Sequence, residues 1–275
     1  LNLMENAFTG TLPTELGQLT QLTDLWLNQN YFYGTVPTEL GRLTNLLFLC
    51  LYVNSLTGTL PTELGRNTQL TDFWLMANNF TGKVPTELVR LTNLMSLHLG
   101  GNSLTGTLPT ELARNTQLIN LILNNNNFTG KVPTELVRLT NLEMLLLYVN
   151  LLTGSLPTVL GQLTQLTSLS LSENNFNGTV PTELGLLTSL SSLELHENSF
   201  MGTLPTELGQ LTALTRCTFY DNDLSGSVND MFCLGAMLWE SLEGDCLATD
   251  GKSEIQCACC TYCCNFNGAD CRLLR

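Results

Sequence analysis

Residues 91–118 read LTNLMSLHLGGNSLTGTLPTELARNTQL, and the same outline returns every 24 residues. Within it Leu97, His98 and Leu99 alternate apolar with polar, the pattern of a strand with one buried face. Pro109 then fixes the entry into a short helical turn. All nine prolines keep the step, at Pro13, Pro37, Pro61, Pro85, Pro109, Pro133, Pro157, Pro181 and Pro205. An asparagine keeps it ten times, from Asn6 through Asn102 and Asn126 to Asn222, and a glycine follows each one four residues later. A fixed period of this length means a stacked array, not one or two conventional domains. Leu94, Leu97, Leu99, Leu104, Leu108 and Leu112 must all point inward, because a lone coil has nothing to cover its apolar face except the next coil.

The stretch matches the leucine-rich repeat pattern L-x-x-L-x-L-x-x-N-x-L. Its continuation L-T-G-x-[LV]-P-T-E-L resembles the plant-type extracellular subclass, to which receptor ectodomains and polygalacturonase inhibitors belong. The expected fold is an α/β solenoid of about ten 24-residue coils, with a parallel concave β-sheet and short helical turns on the convex side. Residues 1–228 form the array and 229–275 a cysteine-rich cap. The chain opens on LNLMEN, which already reads as the strand of a coil, so a start upstream or removal of a leader is expected. No run approaches 18 apolar residues, so no membrane span is expected within the chain.

The repeated asparagines read as structure, since a side-chain amide both donates to and accepts from backbone groups left unpaired where a strand turns. Two residues after each of them stands Phe or Leu, from Phe8 and Phe32 to Phe200 and Leu224, expected in the core. In each PTEL the Thr is placed to cap the helical turn, and the Glu falls in its first turn, where the helix dipole favours it. Asn67 and Asn115 stand where other coils carry leucine, and the sequence offers no reason for them.

Because these positions build the scaffold, function belongs to the variable residues that flank the inward strand leucines. On the expected concave face these are Trp26, Asn28, Phe48, Tyr52, Asp72, Trp74, Met76, His98, Tyr148, Glu194 and His196. The first of them are aromatic and suit a protein contact, where Trp and Tyr give large buried area at small entropic cost. The aromatic rings covering one another in a ladder, or stacking on carbohydrate, are the alternatives. Two threonine rows, beginning at Thr14 and Thr20, give a further alternative, an ice-binding surface. Capping and turn formation account for the same rows.

The net charge of −13 excludes nucleic acid as a partner, since no basic stripe is present to release counterions. Catalysis is not expected: the only two histidines, His98 and His196, stand four coils apart, roughly 20 Å by strand spacing. Glu194, His196 and Glu197 form a weak chelating set, so neither a metal nor another cofactor is expected.

Eight cysteines, Cys233, Cys246, Cys257, Cys259, Cys260, Cys263, Cys264 and Cys271, crowd the end of the chain and are expected to pair as disulfides, with connectivity open; the alternative, a zinc-type metal cluster, is disfavoured by the vicinal cysteines. The CxCCxxCC run after Leu238 and Trp239 resembles the tails of secreted leucine-rich repeat proteins of diatoms and related algae. Cys217 takes an inward position and is expected as a buried thiol, whereas Cys50 is expected on the concave face. Sequons at Asn79, Asn127 and Asn177 fit a secreted or cell-surface glycoprotein. The resemblance implies a binding scaffold whose ligand is a protein, a peptide or a wall glycan. A structural subunit packed through the exposed first coil, with Leu1, Leu3 and Phe8 at its edge, is the rival reading.

Overall fold

The computed structural model describes residues 1–233, 240–244, 255–264 and 271–273, for the backbone alone at 262–264 and 271–273. It divides into two compact units, Leu1–Thr129 and Gly130–Arg275.

In the first unit, parallel strands Asp24–Trp26, Phe48–Cys50, Asp72–Trp74, Ser96–His98 and Asn120–Ile122 pair in register, one per coil. The 24-residue step sets that register, so Trp26, Cys50, Trp74 and His98 stand in one row. The segment between each repeated asparagine and the next proline is also extended. It pairs with its copy in the next coil to give a second parallel sheet, through Thr9–Thr11, Tyr31–Thr35, Ser55–Gly58, Asn79–Gly82 and Ser103–Thr107. The sequence reading had only a turn in this place. Five-residue 3-10 helices, such as Thr38–Arg42 and Thr62–Arg66, complete each coil.

The second unit repeats this plan. Strands Met144–Leu146, Ser168–Ser170, Ser192–Glu194 and Arg216–Thr218 form one sheet, and Leu151–Gly154, Asn175–Gly178, Ser199–Gly202 and Asp223–Leu224 form the other. The described strands of the tail extend the sheet of the array. Strand Ser241–Gly244 adds in parallel to Arg216–Thr218, Tyr262–Cys264 adds to that, and Cys271–Leu273 closes the edge antiparallel. Phe219, Phe232, Leu242 and Ile255 are buried beneath this end. Disulfides join Cys233 to Cys259 and Cys257 to Cys260. Cys246, Leu238 and Trp239 lie outside the described residues, as do the side chains of Cys263, Cys264 and Cys271.

The expected inward leucines are buried; Leu94, Leu97, Leu99 and Leu104 are fully inaccessible. Phe8 departs from its row, being 45% exposed with its ring stacked on Phe32 at 6.3 Å. The asparagines form the ladder their chemistry suggested. Oδ1 of Asn54 accepts the backbone N–H of Phe32 in the preceding coil at 3.0 Å, while its Nδ2 donates to the carbonyls of Leu27 and Leu51. These bonds hold a turn in which the residue before the asparagine is left-handed. Val53 there has φ of 53°, strained for a β-branched residue.

The threonines of the PTEL segments are not caps. The proline occupies the cap position, as at Pro37, where no side chain bonds the first turn. The Thr38 hydroxyl instead donates to the Glu39 carboxylate at 3.3 Å. Thr38 is the first helical residue, so its side chain points away from the N–H groups that a cap must meet.

Asn67 and Asn115 acquire an explanation. Nδ2 of Asn67 donates to the carbonyls of Leu40 and Leu43 at 2.9 and 3.2 Å, and Asn115 does the same to Leu88 and Leu91. The amide ties one coil's helical turn to the next, yet both Oδ1 atoms are buried with no donor among the described residues. An orphaned buried acceptor costs about 1–3 kcal/mol. Asn67→Leu, which installs the residue of the other coils, is therefore expected to be neutral or to stabilise by about 1 kcal/mol in chemical denaturation. A loss beyond about 1 kcal/mol would show that the two amide bonds outweigh the orphan.

Candidate functional site

The outward face of the first unit's strand sheet carries a cluster of half-buried rings. Trp26 stacks on Phe48 with centroids 5.8 Å apart and meets Trp74 edge-on at 6.2 Å. Tyr52 packs on Trp74 at 6.2 Å, and His98 stacks on it at 5.4 Å and 9°. Trp26 and Trp74 stand on strands separated by the Cys50 strand, roughly 10 Å apart at the backbone. Their rings therefore lean together over Cys50.

That contact corrects the expectation for Cys50, which shares the row yet is fully buried beneath the two indoles. Burial, with the charges of Asp72 and Asp24 adding, pushes its thiol up to about 12, so it stays protonated and unreactive. Asn28 is likewise fully buried; its Nδ2 reaches only Gln29 Oε1 at 3.4 Å, and its Oδ1 has no partner among the described residues. It offers nothing to an external ligand. Met76 and Asp72 remain half-exposed beside the rings. Asp72 accepts from Thr71 Oγ1 at 2.9 Å, and burial raises its carboxyl above the ordinary value despite that bond.

A serine–histidine pair, which the spacing of the two histidines did not suggest, lies under the same rings. Ser96 Oγ is 2.9 Å from His98 Nε2 and accepts from Trp74 Nε1 at 3.2 Å. It is not a nucleophile in waiting. Ser96 is only 4% exposed, and burial alone brings His98 down to about 4, too weak a base at neutral pH. The neutral imidazole acts as one more flat ring, with the bonded hydroxyl fixing its orientation.

In the second unit, Tyr148 is half-exposed on the face, and His196 stacks on Tyr220 at 4.6 Å with Nδ1 held 2.7 Å from Thr218 Oγ1. Glu194 accepts from Ser170 Oγ at 2.8 Å and pairs with Arg216 at 3.4 Å. Burial brings the His196 imidazole below its ordinary value, although the Glu194 charge acts against it. The chelating set of the sequence reading is replaced by Glu173, His196 and Glu197, whose ligand atoms lie within 4.8 Å of one another. One imidazole and two carboxylates suit a divalent transition metal. Glu197 is raised by burial and then by Glu173 and Asp221. Tyr220 is pushed up to about 12 by burial, with Glu197, Glu243, Glu173 and Glu194 adding. Asp24, Tyr220 and Thr218 were missed in the sequence. The 24-residue register identifies Asp24 directly, since it stands opposite Phe48 and Phe48 opposite Asp72.

Asn79, Asn127 and Asn177 are exposed, and all three lie on strands of the second sheet, away from the ring-bearing faces. No helix among the described residues is long and apolar enough to cross a membrane.

The model of the Leucine Rich Repeat family matches residues 93–115, 117–139, 165–187 and 189–211. Comparison with curated proteins gives no match. Among solved structures, the chain is 36% identical to the LRR ectodomain of the plant membrane receptor kinase GASSHO1/SCHENGEN3 from Arabidopsis thaliana, in complex with CASPARIAN STRIP INTEGRITY FACTOR 2. That match covers 80% of this chain and 26% of the other, with a TM-score of 0.78. It is 33% identical to the LRR ectodomain of the Arabidopsis receptor kinase HAESA, in complex with an N-terminally extended IDA peptide hormone ligand. Here the shares are 89% and 45%, with a TM-score of 0.73. A plant ice-binding protein is 29% identical over 82% of this chain and 73% of its own, with a TM-score of 0.73. The chain thus spans less than half the length of either receptor ectodomain.

Proposed function

The chain belongs to the leucine-rich repeat family in its plant-type extracellular form, and from that membership we propose that it is a secreted or cell-surface, non-catalytic protein that binds a protein or peptide. The contact surface is the ring cluster of the first unit. The observation that carries the reading is the packing of Trp26, Phe48, Tyr52, Trp74 and His98 into one half-exposed patch. Rings already braced against each other lose little freedom on binding, and such patches supply the dominant contacts of protein interfaces. The HAESA ectodomain, in complex with a peptide hormone ligand, supports the same use of the scaffold here. Disulfides and exposed sequons support an oxidising, secretory route. The similarity to a plant ice-binding protein favours a different use, for which the threonine rows of this chain are the candidate surface. In this chain, however, the hydroxyls of Thr14, Thr38, Thr62 and Thr110 donate to adjoining glutamates, and a row of charged groups suits ice poorly.

Cross-linking mass spectrometry on material from the native source, followed by binding measurements on Trp74→Ala, tests the proposal. Cross-links from the Trp26–Trp74 region to a second protein are expected. In the variant the affinity for that protein should fall about 30-fold, as for an interface hot spot. Cys50, no longer roofed, should also become accessible to a thiol reagent. Unchanged affinity, with Cys50 newly accessible, would show that the patch was opened without harm to binding and would sink the reading.

A further inference from the structure

Asp24, Phe48 and Asp72 stand side by side on three neighbouring strands, with a carboxylate on either side of an aromatic ring. All three are half-buried, and Trp26 stacks on the Phe48 ring to continue its surface. Each carboxylate is held through one oxygen by the threonine before it: Thr23 Oγ1 donates to Asp24 Oδ2 at 2.6 Å, and Thr71 Oγ1 to Asp72 Oδ2 at 2.9 Å. The other oxygen of each has no protein donor among the described residues. The side-chain cations of the unit are Arg42, Arg66, Lys83, Arg90 and Arg114, and none lies on this sheet: four end 3-10 helices and Lys83 follows the strand Asn79–Gly82. The Leu1 ammonium donates to the backbone carbonyl of Asp24 at 2.7 Å and to neither carboxylate. Two acidic groups and an aromatic floor therefore face outward with no side-chain cation to answer them.

We propose that Asp24, Phe48 and Asp72 form a seat for an arginine side chain of the binding partner. This rests on the reading of the ring cluster as the contact surface, and it names the chemistry of the partner there. A metal ion does not fit, because carboxylates two strand spacings apart, roughly 10 Å at the backbone, cannot both reach one ion at about 2 Å. A guanidinium fits on three counts. Its face stacks on Phe48 and Trp26, its opposite edges donate to the two carboxylates, and its weak hydration makes it cheaper to desolvate than an ammonium. The net charge of −13 draws such a partner from a distance.

The test titrates the protein with N-acetyl-arginine methylamide and its neutral isostere, N-acetyl-citrulline methylamide, following the indole N–H signals of Trp26 and Trp74 by NMR. Saturable shifts with the arginine probe and at least about tenfold weaker binding of the citrulline probe are expected. Asp24→Asn and Asp72→Asn, which keep the threonine bonds, should each weaken the arginine probe about fivefold. Equal response to both probes, or no effect of either substitution, overturns the seat. The same variants are then measured against the partner found by cross-linking. If Trp74→Ala abolishes that binding while Asp24→Asn and Asp72→Asn leave it intact, the contact surface stands and the arginine seat falls. Loss with all three supports both.

Discussion

Asn126→Ala is expected to cost the fold about 3–5 kcal/mol, as much as truncating a buried core side chain. Asn126 is 7% exposed. Its Oδ1 accepts the N–H of Leu104 at 2.9 Å, and its Nδ2 donates to the carbonyls of Leu99, Leu123 and Asn124 at 3.0, 3.2 and 3.2 Å. Alanine leaves a buried backbone donor without its partner, together with carbonyls that lose the amide, and each group left orphaned costs about 1–3 kcal/mol. The matched control is Asn6→Ala. Asn6 makes the same kind of bonds, to the carbonyls of Leu3 and Met4, but in an exposed setting where water replaces the amide, so a loss below about 1 kcal/mol is expected. Urea denaturation of the two variants checks the pair. Similar losses at both positions would mean that the ladder is a local turn device and not a bond between coils.

The second large effect is expected at Gly41, where a methyl group has no room. A Cβ on Gly41 would lie 2.5 Å from the carbonyl oxygen of Glu63 and 2.7 Å from its Cβ in the next helical turn. Gly65 meets Glu87 in the same way. The glycine is there for close approach, since its φ is not in the left-handed region. Gly41→Ala must push two turns apart, disturbing the contacts of Leu40 and Leu64 beneath them, and an overpacking loss of about 1–3 kcal/mol is expected. Val89 and Ala113 occupy the same repeat position, so those coils already accommodate a side chain at this point. Ala113→Gly should accordingly cost only about 0.5–1 kcal/mol, from backbone entropy in the helical turn. A Gly41→Ala protein that unfolds at the parent's urea midpoint would show that the turns slide apart freely.

Much of the molecule was legible because a solenoid repeats one local solution. The 24-residue step fixes which residue of one coil faces which residue of the next, so strand register, inward leucines and the asparagine ladder follow from counting. The second sheet was missed because its strands lie in the short segments around the NFTG and SLTG sequences, whose glycine and threonine read as turn residues. Only the equivalent segment of the neighbouring coil, one step away, supplies the hydrogen bonds that make them strands.

The sequence by itself determined the scaffold and the rows of side chains outside it. Those depend on period and on alternation along a strand, both of which are properties of the chain order. What occupies the space above each row was decided by the tertiary structure. Cys50 and Trp74 hold equivalent outward positions, yet two indoles close over the thiol because large rings reach across a strand and a thiol does not. Glu194 and Glu173 are both acidic residues of the second unit's face, yet one is spent on Ser170 and Arg216 while the other joins His196. Asp24 and Asp72 bracket Phe48 only once three coils are stacked. Side-chain reach, competition for partners and burial by a neighbour's bulk act between coils, and they arise only when the coils are in contact.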